Sequence, residues 1–116
     1  MTAYTLISGV TTTQTIAAVA SSTNPTVQAG AQGLGGLPQN PSFQVTAKGL
    51  GASVGGTVVV VGSNDGVNFG TVTTISTGTG PQAATTISSV TAPCQYFAAF
   101  VTQVTGGAAL SCVMCA

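Results

Sequence analysis

Charge is almost absent from this chain: one lysine, Lys48, one acidic residue, Asp65, and no histidine among 116 residues. An ordinary soluble domain carries about 25% Asp, Glu, Lys and Arg; here the figure is 2%. The shortage excludes whole classes of function. Nucleic-acid binding needs several cations to neutralise phosphates, and electrostatic attachment to a membrane surface needs a basic cluster. Lys48 alone supplies neither, so no nucleic-acid and no membrane partner is expected. General acid–base catalysis needs groups that titrate near neutrality, or paired carboxylates, and Asp65 stands alone. A cysteine nucleophile needs a base or cation to become thiolate, which again leaves only Lys48. The expectation is no enzyme activity and no cofactor.

Other absences narrow the class further. No stretch approaches the roughly 18 apolar residues of a membrane helix. Residues 1–10 show neither a basic region nor an apolar one, so no secretory signal is expected and synthesis in the cytoplasm is the default. Apolar residues do not recur at helical spacing, and Gly, Thr and Val, all poor in helices, dominate. A hydrophobic content of 44% excludes the usual disordered class, which is polar and highly charged. Tryptophan is missing, which removes the commonest platform for stacking a sugar.

What remains is strand. Ser42–Lys48 alternates, with Phe43, Val45 and Ala47 on one face and Ser42, Gln44, Thr46 and Lys48 on the other. Thr57–Val61 contains four consecutive valines and is apolar on both faces. Phe69–Ile75 and Ala83–Val90 are threonine-rich strands, with Thr77-Gly78-Thr79-Gly80-Pro81 expected as the turn between them. Gln95–Val104 and Ala108–Cys115 flank Gly106-Gly107 and are expected to form a hairpin. Short strands at roughly ten-residue spacing with Gly-rich turns predict an all-β fold, a small antiparallel β-sandwich of jelly-roll or immunoglobulin-like size.

The sandwich core is assigned to residues 42–116. Residues 1–41 read as an extended N-terminal arm: one or two strands, then a Gly/Pro-rich loop over Ser21–Pro41. Such arms can add a strand to a neighbour's sheet. A strand apolar on both faces is covered either by another subunit or by this chain's own loops. Because neutral polar surfaces tend to associate, an assembly is expected. Its contacts are assigned to the arm and the apolar strands, through Tyr4, Leu6, Val58, Val60, Leu110 and Met114.

Two further features carry candidate chemistry. Cys112-Val113-Met114-Cys115 has the spacing of a redox or zinc motif, but on a strand that spacing sends the two sulfurs to opposite faces. With Cys94 as a third thiol and no fourth ligand, buried small hydrophobes are the expected role. The other feature is Gly62-Ser63-Asn64-Asp65-Gly66-Val67-Asn68-Phe69, a hairpin connection. Asn64, Asp65 and Gly66 tolerate positive φ, the Asp65 carboxylate is placed to cap backbone N–H groups, and Phe69 is expected to start the return strand by packing inward. Asp65 with Asn64 and Asn68 offers at best a weak calcium site, so no metal is expected.

This Gly-Ser-Asn-Asp-Gly-Val-Asn-aromatic pattern resembles two groups. In discoidin-like carbohydrate-binding sandwiches a similar turn usually ends in Trp where this chain has Phe69. The second group is the small β-sandwich virion proteins of tailed bacteriophages, seen as head decoration (cement) proteins and as tail or fibre modules. There a strand like Ser42–Val45 precedes the motif, and a Tyr-containing strand and Gly-Gly turn, like Tyr96–Val104 and Gly106-Gly107, follow it. That resemblance spans residues 42–116. It implies a virion structural protein, assembled in the host cytoplasm, that cements the capsid as a homotrimer on the major capsid protein. The alternative it carries is a tail or fibre module with weak carbohydrate binding through the turn.

Overall fold

The computed structural model describes residues 3–15, 27–28, 40–65, 67–91 and 94–115, and the regular structure among them is all strand. The strands are β1 (Ala3–Val10), β2 (Val27–Gln28), β3 (Ser42–Lys48), β4 (Val54–Ser63), β5 (Gly70–Gly80), β6 (Ala83–Ser89), β7 (Tyr96–Thr105) and β8 (Ala109–Cys115). They form two four-stranded antiparallel sheets, ordered β1-β8-β3-β6 and β2-β7-β4-β5. The pairs β4–β5, β3–β6, β2–β7 and β1–β8 nest inside one another. The described strands thus pair as one long antiparallel ribbon, with its tip at the β4–β5 turn, folded over on itself. That is the jelly-roll arrangement.

The core lies between the sheets. Period-two alternation sends Phe43, Val45 and Ala47 of β3 and Leu110, Cys112 and Met114 of β8 inward, where they meet Val58 and Val60 of β4 and Phe97, Ala99 and Val101 of β7, all fully buried. Phe43 and Phe97 meet across the gap, their rings tilted by 53° with centroids 5.9 Å apart, a geometry that suits the aromatic quadrupole. The polar face expected for β3 is the solvent face, and Lys48 is exposed on it.

Three expectations change. Gly106-Gly107 does not close a hairpin: β7 and β8 belong to different sheets, and the turn carries the chain across the sandwich. Each strand has longer-range partners on both edges, β2 and β4 for β7, and β1 and β3 for β8. Both glycines sit at φ +69, and a Cβ at Gly106 would run into the Ser53 carbonyl, so the corner is built for glycine. Residues 77–80 are strand rather than turn. β5 runs on to Gly80 because Gly78, at φ +68, takes up an extra residue as a bulge opposite β4. The turn itself is Pro81-Gln82, with Gln82 at φ 65.

Phe69 packs outward rather than inward. It joins Val61, Ala98, Val59 and Phe100 in a second apolar cluster, apart from the main core. β1 is hydrogen-bonded along this chain's own β8, and its Leu6 and Ile7 lie in the core. Of the segment expected to be arm, residues 1–2, 16–26 and 29–39 lie outside the described residues, as does Gly66 of the turn.

Candidate functional site

The β4–β5 turn is organised by its one charge. Asp65 Oδ1 accepts from the Ser63 hydroxyl and from the backbone N–H groups of Val67 and Asn68, each at 2.8 Å. Its Oδ2 accepts from the Asn68 side-chain amide at 2.9 Å. The Ser63 hydroxyl oxygen in turn accepts the Asp65 N–H at 3.2 Å. Asn64 reaches sideways, its Oδ1 accepting from the Gln95 N–H at 3.3 Å, and so ties the turn to the start of β7. These donors, the Asn68 and Val67 N–H groups first, hold the Asp65 carboxyl well below the usual carboxylate range. The expected capping role is therefore the observed one. Asn68 presents a donor to the carboxylate and Asn64 spends its oxygen on Gln95, so the amide oxygens do not converge with the carboxylate into a calcium cage.

The six residues assigned to contacts are placed differently from the expectation. Leu6, Val58, Val60, Leu110 and Met114 have no exposed surface, and Tyr4 packs against them, partly buried. The five buried side chains point between the sheets, so they hold this chain together and offer nothing to a neighbour, while Tyr4 keeps part of its surface open. The second face of the valine strand is also covered within the chain: Val61 and Ala98 on the outer side of their sheet are fully buried, flanked by Val59, Phe69 and Phe100. Val61 and Ala98 are thus covered without a second subunit.

The cysteines follow the alternation. Cys112 faces the core and burial pushes its thiol up to about 12; Cys94, half-buried, is pushed up for the same reason. Cys115 lies on the opposite side of β8, and all three are free thiols. Among the described residues no three His, Cys, Asp or Glu side chains cluster as metal ligands.

Sequence reasoning missed two surface features. The first is a half-open depression of about 350 Å³ on the outer face of the β1-β8-β3-β6 sheet, lined by Ser8, Gly9, Thr46, Lys48, Ala109 and Ser111. An irregular stretch of β1 opens it, with Gly9 at φ +63 and its N–H donated to the Ser111 hydroxyl at 3.1 Å. It gathers three hydroxyls around the single ammonium, and it contains no base and no activated nucleophile. The polar alternation Ser42-Gln44-Thr46-Lys48 was its only signal in the sequence. The second is Ile87 of β6, 66% exposed, whose outward position follows from counting two residues at a time along that strand. No family model, curated protein or solved structure matches this chain.

Proposed function

We propose that this protein is a structural subunit of a virion, a capsid decoration protein that cements a phage head through neutral contacts. The observation that carries the reading is the outer surface of the jelly roll, which presents hydroxyls, amides and backbone edges with one exposed cation and one exposed, self-satisfied carboxylate. Such a surface resists association far less than a charged one does. Jelly rolls also recur among capsid shells, an analogy at the level of fold. No catalytic role is assigned, since the thiols next to apolar surface are held protonated and the only acid is held ionised and fully engaged in its turn.

Affinity on this reading comes from backbone pairing and from apolar burial at about 25 cal/mol per Å² before the costs of association. The partners are the major capsid protein and further copies of this chain. Immunogold electron microscopy of purified particles, with antibody raised against this chain, tests the proposal. Regular labelling over the head supports it. Labelling confined to tails supports the fibre-module alternative, and unlabelled particles overturn the virion reading.

A further inference from the structure

An edge strand exposes a row of unpaired N–H and C=O groups, and proteins guard such edges with charge, proline, bulges or shortness. Among the described residues four strands end the two sheets: β1 and β6 in one, β2 and β5 in the other. None contains a charged residue, so only the other guards are available. Of β2 only Val27–Gln28 are among the described residues. β1 has two irregularities in its register with β8, beside Gly9 at positive φ. β5 has two in its register with β4, one of them beside Gly78 at positive φ.

β6 has none of these guards. It pairs with β3 through an unbroken series from Ser42–Ser89 to Lys48–Ala83, and it contains no proline. It also carries an exposed Ile87, whereas the other exposed large hydrophobics among the described residues, Leu50 and Val67, lie in connections between strands. A regular, uncharged, unguarded edge and an uncovered apolar side chain therefore coincide on one strand. Behind it the Thr86 hydroxyl donates to the Ser76 carbonyl of β5 at 3.4 Å, tying the edge to the opposite sheet.

We infer that β6 is the strand through which this protein pairs with a second copy of itself, antiparallel and about a two-fold axis, merging the two β1-β8-β3-β6 sheets into one continuous sheet. The inference builds on the assembly reading above and names the partner surface. A second copy fits because an antiparallel edge is self-complementary: the same row of donors and acceptors faces itself after a two-fold rotation. With Thr86 on the axis, Ile87 of each copy lies directly across from Thr85 of the other on the solvent face, a cross-strand pair of β-branched side chains. Ala83 then faces Ser89 and Ala84 faces Ser88, and no charge opposes a like charge. A closed trimer would need β6 to meet a different edge of the next copy, and the long edges among the described residues, β1 and β5, are both bulged. The geometry therefore favours even-numbered association over the trimer implied by the phage resemblance.

Sedimentation equilibrium of the parent protein, Ile87→Lys and Thr5→Lys tests the pairing. Thr5 is exposed on β1, so its variant adds the same charge to the other edge of the same sheet. The parent is expected to be a dimer or a multiple of one. Ile87→Lys, which brings two ammonium groups together across the axis, should weaken the pair by roughly 100-fold, and Thr5→Lys should leave it unchanged. Hydrogen exchange supplies a readout without mutation: β6 amides should gain protection as the parent is concentrated. A trimeric or monomeric parent, an association indifferent to Ile87→Lys, or β6 protection that ignores concentration each overturns the inference. An association indifferent to Ile87→Lys leaves self-association through another surface standing, and particle labelling by a monomeric protein leaves the virion reading standing without self-association; unlabelled particles remove the virion reading even where β6 pairs.

Discussion

In the β1-β8-β3-β6 sheet, β3 and β8 alternate strictly: Phe43, Val45, Ala47, Leu110, Cys112 and Met114 face the core, and Gln44, Thr46, Ser111 and Val113 face outward. In the β2-β7-β4-β5 sheet, β4 and β7 are apolar on both sides, with Val58, Val60, Phe97 and Ala99 inward and Val61, Ala98, Val59 and Phe100 outward. Phe69, delivered by the β4–β5 turn, joins that outer group. The difference teaches where an uncharged protein can afford open surface. One sheet closes its outer apolar side within the chain, and the other leaves a hydroxyl face and a bare β6 edge.

Four substitutions probe that contrast, in order of expected effect. Phe97→Ala removes the large side chain that meets Phe43 between the sheets, and should lower unfolding free energy by about 3–5 kcal/mol in a urea titration. A loss under about 2 kcal/mol would mean that the sheets do not press together there. Next, Val61→Ala and Val113→Ala make the same chemical change on the two outer faces. Val61 is fully buried and should cost about 1.5 kcal/mol; Val113, half-buried, should stay within about 0.5 kcal/mol. Equal costs would erase the contrast between the faces.

The smallest effect concerns Asp65→Asn, read as melting temperature against pH. The folded-state pKa of Asp65 is lowered from an unfolded value near 3.9, so its contribution is complete above about that pH and is lost as pH falls through the folded value. The parent should therefore melt at nearly constant temperature from about pH 5 to 8 and lose stability only below about pH 4. Asp65→Asn should melt lower than the parent near neutrality, with the gap closing in acid. A gap that widens in acid would reverse the sign and remove Asp65 as the organiser of the turn.

Much of this was legible in the chain. The bounds of β3, the inward set of β8 and the capping by Asp65 follow from period-two patterning and from the short reach of an Asp side chain. The jelly-roll order was not, because it rests on pairings between distant segments such as β1 with β8. Gly106-Gly107 shows the reason: a two-glycine turn looks the same whether the chain returns beside itself or crosses to the facing sheet, and only competition among distant edges decides. The contact residues were misassigned for a related reason. A two-faced apolar strand announces that cover is needed, and the pattern is silent on whether that cover comes from Phe69 of the same chain or from a neighbour. Ile87 is not legible in the sequence because one apolar residue among threonines marks an edge only where the neighbouring strand is missing.

The claim that matters most is that this nearly uncharged jelly roll assembles through neutral surfaces. Sedimentation velocity of the isolated protein, from about 0.05 M to about 1 M NaCl at neutral pH, tests it directly, since salt screens ionic contacts over this range and leaves backbone pairing and apolar burial in place. The account predicts an associated species whose sedimentation coefficient is unchanged across the series. A monomer throughout, or dissociation as salt rises, would contradict it.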